Sequence, residues 1–313
     1  NLLKFMIRSI RRSGLFAIFY FVAFAIVADP RAEHVFIISI DGGSPSVMER
    51  SKMPVLKKMV KEGACSWTAQ SKPPITLPAH TSMLTGVPVE KHKITWNNWA
   101  PTKGAIEVPT VFSLAKEAGF STAMFVGKEK FRHFAPPGVL DEFYYDKARA
   151  VVVMKSDSGD QVIKKEGNIF ARMVATNAAN YILKHKPNIC FIHFADADTV
   201  GHAFGWGSPE QLKALTEVDA ALGMVQKAIR ESGIAKRSVI LVTSDHGGHG
   251  TGHSQGTPLD LEIPWIAWGK GVKKRFEITA PVNTCDTAAT ALWLLGIEPS
   301  IPIDGVVVQS AFK

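Results

Sequence analysis

The stretch HVFIISIDGG, residues 34–43, decides the fold. Its first seven residues are largely apolar, as in a strand that is buried on both faces of a sheet. Asp41 ends the run, and Gly42 and Gly43 let the backbone turn sharply and leave the carboxylate at the end of the strand. Open α/β sheets bind ligands beyond the carboxyl ends of their strands, so this stretch predicts both a sheet and a site at its edge.

Further apolar runs of strand length alternate with helix-like segments along the chain. The strand-like runs are 122–126, 189–194, 238–243 and 264–268, and the helix-like segments are near 55–62, 171–184, 210–232 and 287–295. This alternation predicts an α/β fold with a mainly parallel central sheet and helices on both faces. We expect one catalytic domain over residues 33–313. Residues 131–166 are the least regular and are predicted to form a small cap or an ordinary surface excursion.

The N-terminus has the composition of a targeting segment. Four basic residues, Lys4, Arg8, Arg11 and Arg12, precede an uncharged apolar run at 14–28, which is shorter than an ordinary membrane-spanning helix. Residues 1–28 are therefore predicted to be a signal peptide, and the protein to be exported to the periplasm or the extracellular space. The alternative is an uncleaved anchor, which would then be the chain's attachment to a membrane.

Composition excludes several other classes of protein. The chain has 313 residues, 46% of them hydrophobic, which is ample for a globular core. Its net charge of +8 includes the four basic residues of the N-terminal segment, and the basic run at 273–275 is short, so a stable nucleic-acid partner is not expected. Three cysteines without a CxxC pair predict neither a disulfide framework nor a cysteine zinc site.

Carboxylates and imidazoles recur near the ends of the strand-like runs. Asp198 and His202 follow the run FIHFADA, Asp245 and His246 follow VILVTS, and His253 lies in the glycine-rich loop GGHGTGHSQG. Together with Asp41 they provide oxygen and nitrogen donors, both of which zinc accepts. Two ions held by such groups are a common device for in-line displacement at phosphorus.

The loop KPPITLPAH, residues 72–80, supplies a candidate nucleophile in Thr76. A threonine hydroxyl becomes nucleophilic at neutral pH when a divalent cation coordinates it, and the flanking prolines restrict the backbone around it. The alternative role is a helix N-cap, which is compatible with catalysis. Farther along, Trp96 and Trp99 could stack on a planar leaving group or simply pack against the core.

Several motifs in the same order make the chain resemble the alkaline phosphatase superfamily, and within it the type I phosphodiesterase / nucleotide pyrophosphatase family. They are VFIISIDGG, PPITLPAHTSMLTG, the DxxGH element at 198–202, SDHGGHG and His253. The resemblance extends to the C-terminal segments DTAATALWLLGI and IDGVVV.

The resemblance implies a catalytic site with two divalent metal ions, expected to be Zn²⁺. One ion would be held by Asp198, His202 and His253, and the other by Asp41, Asp245, His246 and the Thr76 hydroxyl. Thr76 would attack phosphorus and form a phosphothreonine intermediate. Asn97, in HKITWNN, stands where the family has an asparagine that binds a phosphoryl oxygen.

The implied activity is hydrolysis of phosphodiester or pyrophosphate bonds in a small molecule or a nucleotide. A phosphomonoesterase or phosphotransferase of the same superfamily is the alternative, and Lys128 and Lys130 could then hold the additional charge. A sulfatase is disfavoured because Thr76 stands where sulfatases need Cys or Ser, and a non-catalytic binding protein because the set of ligands is complete. Two features depart from the family: Lys93 replaces a common glycine, and His249 competes with His253 as the third histidine ligand.

Overall fold

Strand β1 (His34–Ile40) is buried at each of its seven positions and lies inside an eight-stranded sheet. The computed structural model describes residues 30–149, 151–155, 159, 162–166 and 168–313. The predicted signal peptide or anchor, residues 1–28, lies outside this range. Among the described residues, no helix combines the length and the apolar character needed to cross a membrane.

The remaining strands and the helices follow in chain order. The strands are β2 (Ala64–Gln70), β3 (Thr122–Val126), β4 (Glu142–Tyr144), β5 (Val151–Lys155), β6 (Val162–Glu166), β7 (Ile189–Phe194), β8 (Ser238–Thr243), β9 (Glu262–Gly269) and β10 (Phe276–Glu277). The α-helices are α1 (Pro45–Arg50), α2 (Pro54–Glu62), α3 (Thr76–Thr85), α4 (Val89–His92), α5 (Val111–Glu117), α6 (Ala171–His185), α7 (Asp196–Phe204), α8 (Pro209–Glu231), α9 (Pro258–Leu261) and α10 (Asp286–Leu295).

The sheet has the strand order β10-β2-β9-β8-β1-β7-β3-β4. Strands β8, β1, β7, β3 and β4 run parallel to their neighbours in this part of the sheet. Strand β9 runs antiparallel to both β8 and β2, so the sheet is mixed and mainly parallel. The predicted fold class is confirmed. Because β1, β3, β7 and β8 are buried throughout, the sheet is covered on both faces.

Residues 131–166, the predicted cap, contribute to more than one part of the fold. Phe131 and Phe134 are buried in the core, and β4 pairs with β3 at the edge of the main sheet. Strands β5 and β6 form a separate antiparallel pair. The cap itself stays a prediction, and β5 with β6 is the part of the segment that could supply it.

Lys93, which stands where the family commonly has glycine, has a backbone conformation that favours glycine. Lys93 caps the C-terminus of α4 with φ 61° and ψ 10°, in the left-handed region that glycine adopts without steric cost. The family's glycine therefore suits the backbone here, and the lysine adopts the same turn.

Candidate metal and nucleophile site

The parallel register brings three carboxylates together at the carboxyl ends of the strands. Ile40 of β1 lies opposite Phe194 of β7, and Ser39 of β1 lies opposite Thr243 of β8, so the segments after all three strands start at the same level. The Asp198 backbone N–H donates to the Asp41 carbonyl over 3.0 Å. These alignments place Asp41, Asp198 and Asp245 in one buried cluster.

Gly42 allows the chain to turn inside this cluster. Its φ is +71°, and a Cβ at this position would lie 2.9 Å from the Cα of Asp198. Its backbone N–H donates to Asp245 Oδ1 over 3.1 Å. A side chain at position 42 would push Asp198 away from Asp41. Glycine is therefore required here for close packing as well as for the turn.

The candidate ligands form two overlapping groups of donor atoms. Atoms of Asp198, His202 and His253 lie within 4.8 Å of one another, and so do atoms of Asp41, Asp198 and His246. The two groups adjoin, because the rings of His246 and His253 stack with centroids 3.6 Å apart. Asp245 joins the second group, with its Oδ2 3.3 Å from His246 Nε2.

Four of these ligand atoms are buried without a hydrogen-bond partner among the described residues. They are Asp41 Oδ1, Asp198 Oδ1, Asp245 Oδ2 and His246 Nε2. A buried polar atom left unpaired costs about 1–3 kcal/mol, and more when it is charged. The three carboxylate oxygens lie 3.4, 3.8 and 3.3 Å from His246 Nε2, so a divalent cation coordinated among the four atoms would satisfy them. The residues therefore fit the metal site that the sequence predicts, and their mixture of N and O donors suits zinc.

The electrostatics of the cluster are dominated by its buried charges. Burial disfavours ionisation of Asp41, but the Lys128 ammonium and a 2.7 Å hydrogen bond from His193 outweigh it and hold the pKa of Asp41 well below its usual range. Asp245 has the opposite balance, because burial and the Asp41 charge raise its pKa to about 7. Burial also opposes protonation of His246, yet the adjacent Asp245 and Asp41 raise the pKa of the imidazole to about 9.

Thr76 begins helix α3 beside this cluster and is 2% exposed. The N-cap position belongs to Ile75, whose backbone is extended, so the N-cap role considered for Thr76 is wrong. His253 Nδ1 donates to the Pro74 carbonyl, and His80 Nδ1 donates to the carbonyl of Thr76, each over 2.7 Å. The same His80 nitrogen is 3.5 Å from Asp245 Oδ2. The nucleophile loop is thereby tied to both groups of candidate ligands.

Asn97 lies at the start of the same helix with its amide oriented by two donors. The Leu77 backbone N–H and the Lys130 ammonium both donate to Asn97 Oδ1, over 2.9 and 2.8 Å. Because the oxygen is engaged on the protein side, the amide NH₂ is the part of the side chain left to donate to a ligand.

We expect Asn97→Ala to lower kcat for a phosphodiester roughly 10²-fold, the usual effect of losing one donor to a developing negative charge. Asn97→Asp should be at least as impaired, because it keeps an acceptor for Leu77 and loses the NH₂ donors. The matched control is Asn98→Ala, a change at the exposed neighbour whose amide donates to the Trp99 carbonyl. Equal losses in the Asn97 and Asn98 variants would argue against a role for Asn97.

The structure separates the two competing histidines. His253 Nε2 lies 3.2 Å from His202 Nε2 and 3.6 Å from Asp198 Oδ1. His249 instead hydrogen-bonds through Nδ1 to Asp260 Oδ1 over 2.8 Å, and its Nε2 lies 3.3 Å from Gln255. Of the two, His253 is the one that the structure brings to the candidate ligands.

Two residues that hydrogen-bond to Asp41 and Gly42 were not predicted from the sequence. His193, the fifth residue of the apolar run ICFIHF, donates to Asp41 Oδ2, and an imidazole inside a fully buried strand is the signal that could have revealed it. Trp206 donates its indole N–H to the Gly42 carbonyl over 3.0 Å, with its ring centroid 5.3 Å from that of His202.

The two other tryptophans considered earlier pack against protein. The ring centroids of Trp96 and Trp99 lie 5.9 and 4.5 Å from that of His133, which is fully buried. These contacts favour the packing role over stacking on a substrate.

Comparison with known protein families identifies the site's context. A model of the type I phosphodiesterase / nucleotide pyrophosphatase family matches residues 35–260, well over half of the chain. The chain belongs to this family. The family comprises metal-dependent phosphodiesterases and pyrophosphatases, and the matched residues include every candidate ligand, Thr76 and Asn97.

Individual relatives of this phosphodiesterase-family chain are distant. Ectonucleotide pyrophosphatase/phosphodiesterase family member 7 of Mus musculus is 22% identical over 69% of the chain and 50% of its own length. GPI ethanolamine phosphate transferase 1 of Chaetomium globosum is 24% identical over 70% of the chain and 24% of its own length. The chain thus spans half or less of these curated relatives.

Solved structures establish the fold. Murine ectonucleotide pyrophosphatase/phosphodiesterase 5, an inactive form in complex with AMP, superposes with a TM-score of 0.69 at 14% identity, over 90% of this chain and 100% of that one. A 2-O GAG sulfatase has the same TM-score and identity over 90% of this chain and 74% of its own. The phosphodiesterase-family chain therefore has the architecture shared by these enzymes.

Proposed function

We propose that the chain is a metal-dependent hydrolase of phosphodiester or pyrophosphate bonds in small molecules or nucleotides, acting through a phosphothreonine at Thr76. The observation that carries this proposal is the convergence of four unsatisfied, buried ligand atoms beside the loop of Thr76. Two divalent ions bound by the candidate ligands would supply the charge that activates a hydroxyl and stabilises a leaving oxygen. The N/O donor set makes Zn²⁺ the proposed metal.

The protein's own groups have separate roles in this reaction. Thr76 is held at the start of α3 by hydrogen bonds to the carbonyls on either side of Ile75, from His253 to Pro74 and from His80 to Thr76 itself. Its hydroxyl loses its proton and the oxygen attacks phosphorus, while the P–O bond to the leaving group breaks and the leaving oxygen departs with the electron pair. The phosphoryl group, with the substituent that it keeps, is then bound to the Thr76 oxygen. The Asn97 amide donates to a non-bridging phosphoryl oxygen, because its own oxygen is occupied by Leu77 and Lys130. Hydrolysis of the phosphothreonine then regenerates the hydroxyl.

A specific observation favours a second candidate, a phosphomonoesterase or phosphotransferase. Lys130 lies against Asn97 and adds a cation where a phosphoryl group would bind, and burial together with the charge of Lys128 lowers its pKa to about 8. A doubly charged phosphoryl group would be held better by such a cation than by a neutral site. The matched GPI ethanolamine phosphate transferase also makes transfer to an alcohol a reaction to test.

The experiment compares bis-p-nitrophenyl phosphate with p-nitrophenyl phosphate as substrates of the zinc-loaded protein. We expect a higher kcat/KM for the diester, with p-nitrophenol and p-nitrophenyl phosphate as the products when no acceptor alcohol is added. A large preference for the monoester would instead support the phosphomonoesterase, and a rate that rises with an added alcohol acceptor would support the phosphotransferase.

A further inference from the structure

Lys128 occupies a position between the two groups of candidate ligands. Its ammonium lies 2.7 Å from Asp41 Oδ2 and 2.6 Å from Asp198 Oδ2, and its side chain is 8% exposed. The family resemblance, on which the proposed function rests, assigns Asp41 and Asp198 to different ions. The ammonium holds the Oδ2 atom of each carboxylate, whereas the Oδ1 atoms are those without a partner among the described residues. Lys128 therefore contacts one oxygen of each carboxylate and leaves the other oxygen of each available to a metal ion.

The backbone around Lys128 fixes this ammonium in place. Lys128 forms an antiparallel bridge with Asn168, whose side-chain amide donates to Thr199 Oγ1 on α7 over 2.6 Å. The preceding residue, Gly127, accepts a backbone hydrogen bond from Ile169 over 2.9 Å. Lys128 is thus attached to the element that carries Asp198, unlike a surface lysine that can swing away.

The charge of Lys128 acts unequally on the two groups of ligands. The group formed by Asp41, Asp245 and His246 offers two carboxylates to a metal ion, so one of them, Asp245, stays free of the ammonium when Lys128 pairs with Asp41. The group formed by Asp198, His202 and His253 contains one carboxylate, and Lys128 already pairs with it. A divalent ion that binds to Asp198, His202 and His253 meets two imidazoles, a carboxylate already paired with the ammonium and a nearby positive charge.

We propose that Lys128 is a built-in cation that makes the two metal sites unequal. The site holds one divalent ion tightly, at Asp41, Asp245 and His246, and a second ion weakly, at Asp198, His202 and His253. This inference rests on the metal ligands of the proposed function. It concerns the number and affinity of ions, which are measured without substrate, so its failure is distinguishable from a failure of the catalytic proposal.

The test is a Zn²⁺ titration of the metal-stripped protein against a chromophoric chelator, with the bound metal counted after dialysis. For the unmodified protein we expect one tight equivalent and a second at least roughly tenfold weaker, because a unit charge a few ångströms away opposes entry of the second ion. Lys128→Met, which keeps the length and removes the charge, should tighten the second equivalent roughly tenfold or more. Adding His202→Ala to that variant should abolish the gain, which locates it.

Lys130→Met is the matched control, because it removes a neighbouring cation that hydrogen-bonds Asn97 and not the carboxylates. We expect it to tighten the second equivalent much less than Lys128→Met does, because the Lys130 ammonium contacts Asn97 and lies farther from the carboxylates than Lys128. Two equally tight equivalents in the unmodified protein would overturn the proposal, even if the Lys128 variant failed to fold. An unchanged second affinity in a folded Lys128→Met protein would overturn it as well, as would equal gains in the Lys128 and Lys130 variants.

Discussion

Replacing Thr76 by alanine is expected to lower kcat for phosphodiester hydrolysis by at least roughly 10³-fold, because the nucleophile and the covalent route are lost together. The substitution should leave folding intact, since the Thr76 backbone, and not its hydroxyl, accepts the hydrogen bond from His80. Thr76→Ser keeps a hydroxyl and should recover a substantial part of the activity. Steady-state kinetics on a chromogenic diester, with circular dichroism as a check of folding, measure both effects.

Thr81→Ala is the matched control for this prediction. Thr81 lies on the same helix, is fully buried and uses its hydroxyl to bond the Leu77 carbonyl. It should alter stability modestly and kcat little. A Thr76→Ala protein that retains most of its activity would eliminate Thr76 as the nucleophile, whatever the metal content of the site.

Removal of the metal should be the second large effect, and it should act on stability as well as activity. Without a cation, Asp41, Asp198 and Asp245 face one another in a buried cluster with ligand atoms left unpaired. An ion that binds the folded state at a concentration of 1,000 Kd adds about 4 kcal/mol of stability. We therefore expect a chelator to abolish hydrolysis and to lower Tm by roughly 5–10 °C. Added Zn²⁺ should restore both.

Two variants, Asp41→Asn and His185→Ala, test whether the change in Tm on metal removal arises at the candidate ligands. The first removes the charge of a ligand in the tight group, so its Tm should respond much less to zinc. His185 lies at the end of α6 and stacks on Tyr181, away from the candidate ligands, so its variant should retain the full zinc response. A chelator that leaves both Tm and activity of the unmodified protein unchanged would contradict a metal-bound site.

The parts of the fold that the sequence predicts well are those where burial alone controls the pattern. Strands β1, β3, β7 and β8 are apolar runs buried on both faces, and each coincides with a predicted run. Strand β2, with the sequence ACSWTAQ, was not predicted because its second half is partly exposed and is not a continuous apolar run. Its pairing with β9 is also irregular, with a register shift between Ser66 and Ala69. The antiparallel direction of β9 depends on pairing across the sheet, which no local pattern encodes.

Some residues of the candidate site could also be predicted from the sequence, and others depend on contacts between distant segments. Asp41 and Asp245 could be predicted because each directly follows an apolar run. Asp198 and His202 could be predicted because they come after another such run and lie one helical turn apart. Lys128 follows β3 after a single glycine and so obeys the same rule, yet a lysine there suggested a substrate contact and not a bridge between carboxylates. Its role depends on distances across three strands. Choosing His253 over His249 likewise required the loop conformation, in which Asp260 pairs with His249.

Trapping the covalent intermediate tests the central claim most directly. The zinc-loaded protein is mixed with a phosphodiester substrate, quenched in acid during turnover and digested, and the peptide that contains Thr76 is examined by tandem mass spectrometry. We predict an adduct on the Thr76 hydroxyl that consists of the phosphoryl group with the ester substituent retained from the diester, that depends on substrate and that is absent from Thr76→Ala. Steady turnover with no adduct at Thr76 in repeated rapid quenches, or an adduct on a different residue, would contradict the account.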